Sequence, residues 1–147
     1  KALASSASPS CQIDAYDLFD EFPYNAADFK SVNQAFSPYT NVKVHKGDFY
    51  GSQEIYQDKS IDILHVDIAN NGEVYEYAIE NYLPKLTNQG VCVLEGGSHQ
   101  RDRVDWMLRY NKPKIVPILE KYKTECDIIV LEDYPSLTLI KRKNEKT

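Results

Sequence analysis

Glycine is scarce in these 147 residues, with six in all, and only Gly96-Gly97 are adjacent. The sequence has no Walker A loop, no G-x-S-x-G elbow, no H-E-x-x-H pair and no EF-hand loop. P-loop phosphoryl transfer, serine hydrolysis of the α/β-hydrolase type and zincin proteolysis are therefore unsupported. Cysteine is also sparse: Cys11, Cys92 and Cys126 are odd in number and lack C-x-x-C spacing. They read as reduced core residues of a cytosol-like compartment rather than disulfides or zinc ligands. There is no N-x-[ST] sequon. No apolar run approaches the roughly 20 residues that span a bilayer, and Lys1-Ala2-Leu3-Ala4 does not open a signal peptide. A cytoplasmic chain without a membrane partner is expected. Positive charge is in deficit, 17 Lys and Arg against 22 Asp and Glu for a net −5, so a nucleic-acid partner is not expected either. The short run Lys141-Arg142-Lys143 is adequately explained by solvation.

What remains is an ordinary globular composition, 42% hydrophobic and 27% charged, in a length that suits one domain over residues 1–147. Apolar runs at 12–16, 42–45, 61–66 and 91–94 alternate with helical patterns. That order predicts an α/β fold with a mostly parallel sheet and helices on both faces. The clearest helix covers 73–86, where Tyr75, Ala78, Ile79, Tyr82, Leu83 and Leu86 form one stripe at the 3.6-residue period, with Pro84 kinking or tightening its last turn. Another is expected over 26–36, capped by Asn25, with Phe29, Val32 and Phe36 inward. A polar helix at 101–110 and an amphipathic piece ending near Tyr122 follow the loop Glu95-Gly96-Gly97-Ser98-His99. The runs at 127–131 and 137–140 are too close for a parallel crossover, so they must form an antiparallel hairpin. His65 and His45, inside strand runs, are expected to be satisfied sheet or core residues.

The segment Ile61-Asp62-Ile63-Leu64-His65-Val66-Asp67, the 73–86 helix with its Leu-Pro-x-Leu turn, and Gly90-Val91-Cys92-Val93-Leu94-Glu95-Gly96-Gly97 stand in a telling order. With the terminal hairpin, they resemble the Rossmann-like class I S-adenosylmethionine-dependent methyltransferases, and within them the small-molecule and sugar O-methyltransferase-like branch. The resemblance runs from about Cys11 onward. Such enzymes begin with a strand and a Gly-rich turn, roughly E-x-G-x-x-x-G, which this sequence lacks. The family places that strand centrally, between the runs at 12–16 and 61–66. The natural protein is accordingly expected to carry it upstream of Lys1, and the 147 residues alone to bind cofactor poorly and to aggregate or borrow a strand in a homo-oligomer. A rearranged, non-catalytic Rossmann-like binding or assembly module is the alternative.

In open α/β sheets ligands bind beyond the carboxyl ends of the strands, so strand-terminal residues matter most. The resemblance implies that Asp17 accepts hydrogen bonds from the ribose hydroxyls of S-adenosylmethionine, and that Asp48 meets the adenine amino group with Phe49 beside the ring. An ordinary solvated Asp and a Gly-Asp turn are the bland readings of the same residues. Asp67 would line the methyl-transfer cleft. Asp67 and Glu95, ending adjacent strands, could share a divalent cation such as magnesium, although Gly96 stands where a further ligand is expected. His99 is the candidate general base for the hydroxyl of a small-molecule acceptor, or else an exposed loop histidine.

Overall fold

The computed structural model describes residues 2–23, 25–133 and 135–143. They fall into two compact units, Lys1–Ser52 and Gln53–Thr147.

The first unit holds helix α1 (Ala2–Ser6), strand β1 (Ile13–Asp17), helix α2 (Phe29–Phe36), strand β2 (Val42–Lys46) and a kinked segment, α3 (Phe49–Ser52), in which Tyr50 and Gly51 leave helical geometry. β1 and β2 pair in parallel, from Ile13 opposite Val42 to Asp17 opposite Lys46. Asp28, not Asn25, caps α2, its carboxylate accepting from Ser31 N at 2.9 Å. Asn25 instead holds the preceding turn through Ala27 N, which delays the helix until Phe29. Phe29, Val32 and Phe36 are the half-buried positions of α2, as their spacing requires.

The second unit is a mixed four-stranded sheet in the order β3 (Ile61–Val66), β4 (Leu86–Glu95), β6 (Leu137–Arg142), β5 (Cys126–Leu131). β3 and β4 are parallel, and β6 runs antiparallel to both its neighbours, so the C-terminal hairpin inserts its second strand beside β4. Among the described residues β1 pairs only with β2 and β3 only with β4. Helices α4 (Gly72–Tyr77), α5 (Asp105–Arg109) and α6 (Ile115–Tyr122) complete the unit. The segment expected as one helix over 73–86 changes pitch twice. Pro84 has no N–H to offer the carbonyl four residues back, and the chain widens to a π-turn at Ala78–Tyr82 before tightening to a 3-10 turn at Leu83–Lys85. Leu86 then belongs to β4, which begins five residues before the apolar run at 91–94. Two steps along β3, from Ile61 to Ile63, span five along β4, from Leu86 to Val91.

The core of this unit is built from Tyr75, Ala78, Cys92, Leu94, Met107, Ile115 and Ile140, all essentially inaccessible. Each large apolar side chain among them contributes about 1.5–3 kcal/mol by leaving water. Cys92 and Cys126 are buried free thiols, as expected, but Cys11 is exposed, because it precedes β1 rather than lying in it. His65 is likewise exposed, not interior: β3 alternates, burying Val66 while leaving His65 and Ile63 open, Ile63 to 68%.

Burial pushes the Cys92 thiol from its ordinary 9.0 up to about 12. The same desolvation raises the Tyr75 phenol. A raised folded-state value means that the unfolded chain loses its proton first. Stability present at neutral pH is therefore lost progressively above pH 9, by at most about 1.4 kcal/mol per pH unit for one such group. Urea midpoints should fall with increasing steepness in that range, and Cys92→Ala should flatten the alkaline slope while lowering the neutral-pH midpoint.

Candidate functional site

In the first unit the ends of β1 and β2 bring Asp17, Asp48 and Phe49 onto one edge, tied by Gly47 N donating to Asp17 O at 3.0 Å. Asp17 is exposed, and its Oδ1 accepts from Phe19 N at 2.5 Å and from Asn25 Nδ2 at 2.9 Å. These donors fix the carboxylate's orientation through one oxygen and leave Oδ2 without a hydrogen bond among the described residues. The two neighbouring acids are committed elsewhere: Asp14 pairs with His45 Nε2 at 2.7 Å, and Asp20 with Lys46 at 3.2 Å. His45 is thus the satisfied sheet residue its position suggested, stacked on Tyr16 with ring centroids 4.6 Å apart. Asp48 is exposed and accepts from Tyr50 N at 3.1 Å, an Asx-type turn. The half-buried Phe49 meets the Tyr50 ring edge-on at 5.2 Å.

In the second unit Val66 pairs with Leu94, so the next residue of each strand, Asp67 and Glu95, leaves adjacent strands at matching positions. Asp67 is exposed and Glu95 half-buried. The two strand ends are clamped by Asn70, which is fully buried and donates through Nδ2 to Val66 O at 2.9 Å and to Glu95 O at 3.0 Å. Beneath them the Tyr75 hydroxyl donates to Glu95 O at 3.2 Å and lies 3.1 Å from Thr138 Oγ1, which itself donates to Gly96 O at 2.7 Å. Asp102 is buried and accepts from Ile115 N at 2.7 Å and Val116 N at 3.0 Å, fixing the start of α6 to the loop after β4. Replacing Asn70 with alanine should leave Val66 O without this donor and weaken the hold on Glu95 O. A loss of about 2–3 kcal/mol is expected, read as a lower urea midpoint with unchanged slope.

The magnesium expectation does not fit these residues. The Glu95 carboxylate faces the Arg101 guanidinium, with Nε to Oε1 at 4.0 Å. Among the described residues no three His, Cys, Asp or Glu side chains converge on a metal position. His99 is exposed and borders a groove of about 270 Å³ with Gly97, Leu119, Glu120, Ile128 and Glu132, walled by α6 and β5. Asn70, Arg101 and the Tyr75–Thr138 pair were not singled out by sequence. Their partners are main-chain atoms or lie far along the chain, and only the polar Asn70-Asn71 pair right after a strand could have drawn notice.

No family model and no curated protein matches the chain. Solved structures do. An S-adenosylhomocysteine-bound methyltransferase from Podospora anserina is 16% identical with a TM-score of 0.61, over 90% of this chain and 61% of its own. A SAM-dependent O-methyltransferase from Thermotoga maritima is also 16% identical with a TM-score of 0.61, over 99% of this chain and 55% of its own. A candidate rRNA methylase from Clostridium thermocellum is 14% identical with a TM-score of 0.67, over 98% of this chain and 79% of its own. The chain thus spans about three fifths of the first of these. Likeness at such identities is one of fold, and the fold is the Rossmann-like α/β fold of these methyltransferases.

Proposed function

We propose that this chain is part of an S-adenosylmethionine-dependent methyltransferase that modifies a hydroxyl of a small molecule. The observation that carries the reading is the placement of Asp17, Asp48 and Phe49 at the ends of two adjacent parallel strands, on a fold shared with solved methyltransferases. S-adenosylmethionine supplies an electrophilic methyl group on a sulfonium centre. The chain's own task is to hold the donor, align the acceptor and take one proton. Asp17, anchored through Oδ1, presents Oδ2 to the ribose hydroxyls, a role suited to an ionised acceptor-only group. Asp48 receives the adenine amino group, and Phe49 offers its ring beside the base. Asp67 lines the cleft beyond β3, and His99, in the loop after β4, takes the acceptor's proton.

A net charge of −5 favours a small acceptor over RNA, since a polyphosphate would meet a repulsive field. Transfer of an isotopically labelled methyl group from S-adenosylmethionine, by the full-length natural protein, to a panel of hydroxyl compounds and in parallel to total RNA tests the reading. Label in a small hydroxyl compound, lowered at least about tenfold by His99→Ala at neutral pH, is the expected outcome. Label only in RNA, or in neither, would sink it.

A further inference from the structure

Among the described residues, one buried side-chain nitrogen or oxygen has no hydrogen-bond partner: Nη1 of Arg101. Arg101 is only 5% exposed. Its Nη2 makes one long bond, 3.3 Å to Asn70 O, and its Cζ lies 5.0 Å from the centroid of the Trp106 ring. Among the described residues the one carboxylate paired with it is that of Glu95, and Nε to Oε1 is 4.0 Å, well beyond the roughly 2.8 Å of a formed guanidinium–carboxylate bond. A guanidinium carries five donors and stays charged at every accessible pH, so a buried one that uses a single donor is short of acceptors. Burying that charge costs several kcal/mol unless matched oxygens compensate, in the manner of a bidentate carboxylate or phosphate. The location suits a ligand. Asn70 follows the carboxyl end of β3 and Glu95 is the last residue of β4, and the Glu95 side chain, 34% exposed against 6% for Arg101, forms the solvent side of the pair.

We propose that Arg101 is an anion receptor: a carboxylate or phosphate of the acceptor displaces the Glu95 side chain and takes the Nη1–Nη2 edge as a bidentate pair, the other Nη2 hydrogen staying on Asn70 O. Asn70 O and the Trp106 ring hold the guanidinium plane while Glu95 exchanges with the incoming anion. The acceptor class is then a hydroxyl compound that also carries an acidic group. This rests on the methyl-transfer reading only in assigning the anion to an acceptor.

Trp106, the one tryptophan in these 147 residues, lies over the guanidinium, so the part of the emission that Trp106→Phe removes reports the site without any turnover. Titrate the full-length protein with inorganic phosphate, with malonate, and with chloride at matched ionic strength. Phosphate or malonate should change the emission saturably in the millimolar range while chloride does not. The tighter of the two oxyanions identifies a phosphorylated or a carboxylated acceptor. Glu95→Gln removes the competing anion and should tighten binding about tenfold, whereas Arg101→Met should abolish it and Arg101→Lys, which keeps charge but loses the fork, should weaken it. If Arg101→Met does not fold, Glu95→Gln decides. Unchanged affinity in Glu95→Gln, or a response to chloride equal to that of phosphate, overturns the proposal. Binding of S-adenosylhomocysteine, measured separately, tells failure of this proposal from failure of the methyl-transfer reading.

Discussion

Gly97→Ala is expected to destabilise the second unit by about 3–5 kcal/mol, enough to consume much of a typical domain's margin. Gly97 sits at φ 109°, where an L side chain is strained, and a Cβ there would stand 2.0 Å from Thr138 Oγ1. The backbone conformation costs about 1–3 kcal/mol by itself. Relieving the overlap requires Thr138 to turn away, which breaks its bond to Gly96 O and its contact with the Tyr75 hydroxyl inside the core, at about 1–3 kcal/mol for the groups stranded. The two effects are separable, because Thr138→Ala removes the clashing oxygen. The double variant should be more stable than the sum of the single losses predicts by about 1–2 kcal/mol. Denaturant unfolding of the four proteins checks this, and strict additivity would mean that Gly97 and Thr138 do not meet as described.

Asp17→Asn should weaken S-adenosylhomocysteine binding by the full-length protein about a hundredfold while leaving the unfolding midpoint unchanged. The asparagine can keep Oδ1 as acceptor for Phe19 N and Asn25, so the β1 terminus should stay in place. What changes is the opposite atom, where a donating amide replaces the ionised oxygen offered to the ribose hydroxyls. Losing charged hydrogen bonds at about 1.5–3 kcal/mol each gives the stated factor. Asp14→Asn, whose carboxylate is occupied by His45, should leave affinity within about twofold. Equal losses from the two variants would mean that Asp17 has no special part.

All six strands were legible because apolar runs bounded by turn residues mark them, and the hairpin followed from chain length alone. The start of β4 was not. Leu86 completes the helical stripe of Tyr75, Ala78, Ile79, Tyr82 and Leu83, and only the strand partner Ile61, far away in sequence, places it in a sheet. Asn25 looked like the cap of α2 because side-chain chemistry suits it as well as Asp28, and only the backbone path decides between them. The resemblance singled out Asp17 at its strand end, and the structure adds that His45 and Lys46 occupy its neighbours Asp14 and Asp20. Glu95 as a metal ligand already lacked a neighbouring ligand at Gly96, and no sequence pattern shows that Arg101, six residues on and inside a polar run, is buried beside it. Side-chain clamps onto main-chain oxygens, such as Asn70, leave no pattern in a sequence, because every residue carries the same carbonyl.

Calorimetric titration of S-adenosylhomocysteine into the full-length natural protein is the most direct test of the donor site at Asp17, Asp48 and Phe49. One saturable site per chain with a dissociation constant in the micromolar range, corresponding to about 8 kcal/mol, is the predicted result. No saturable heat up to millimolar ligand would contradict the account and favour a Rossmann-like module that binds no methyl donor.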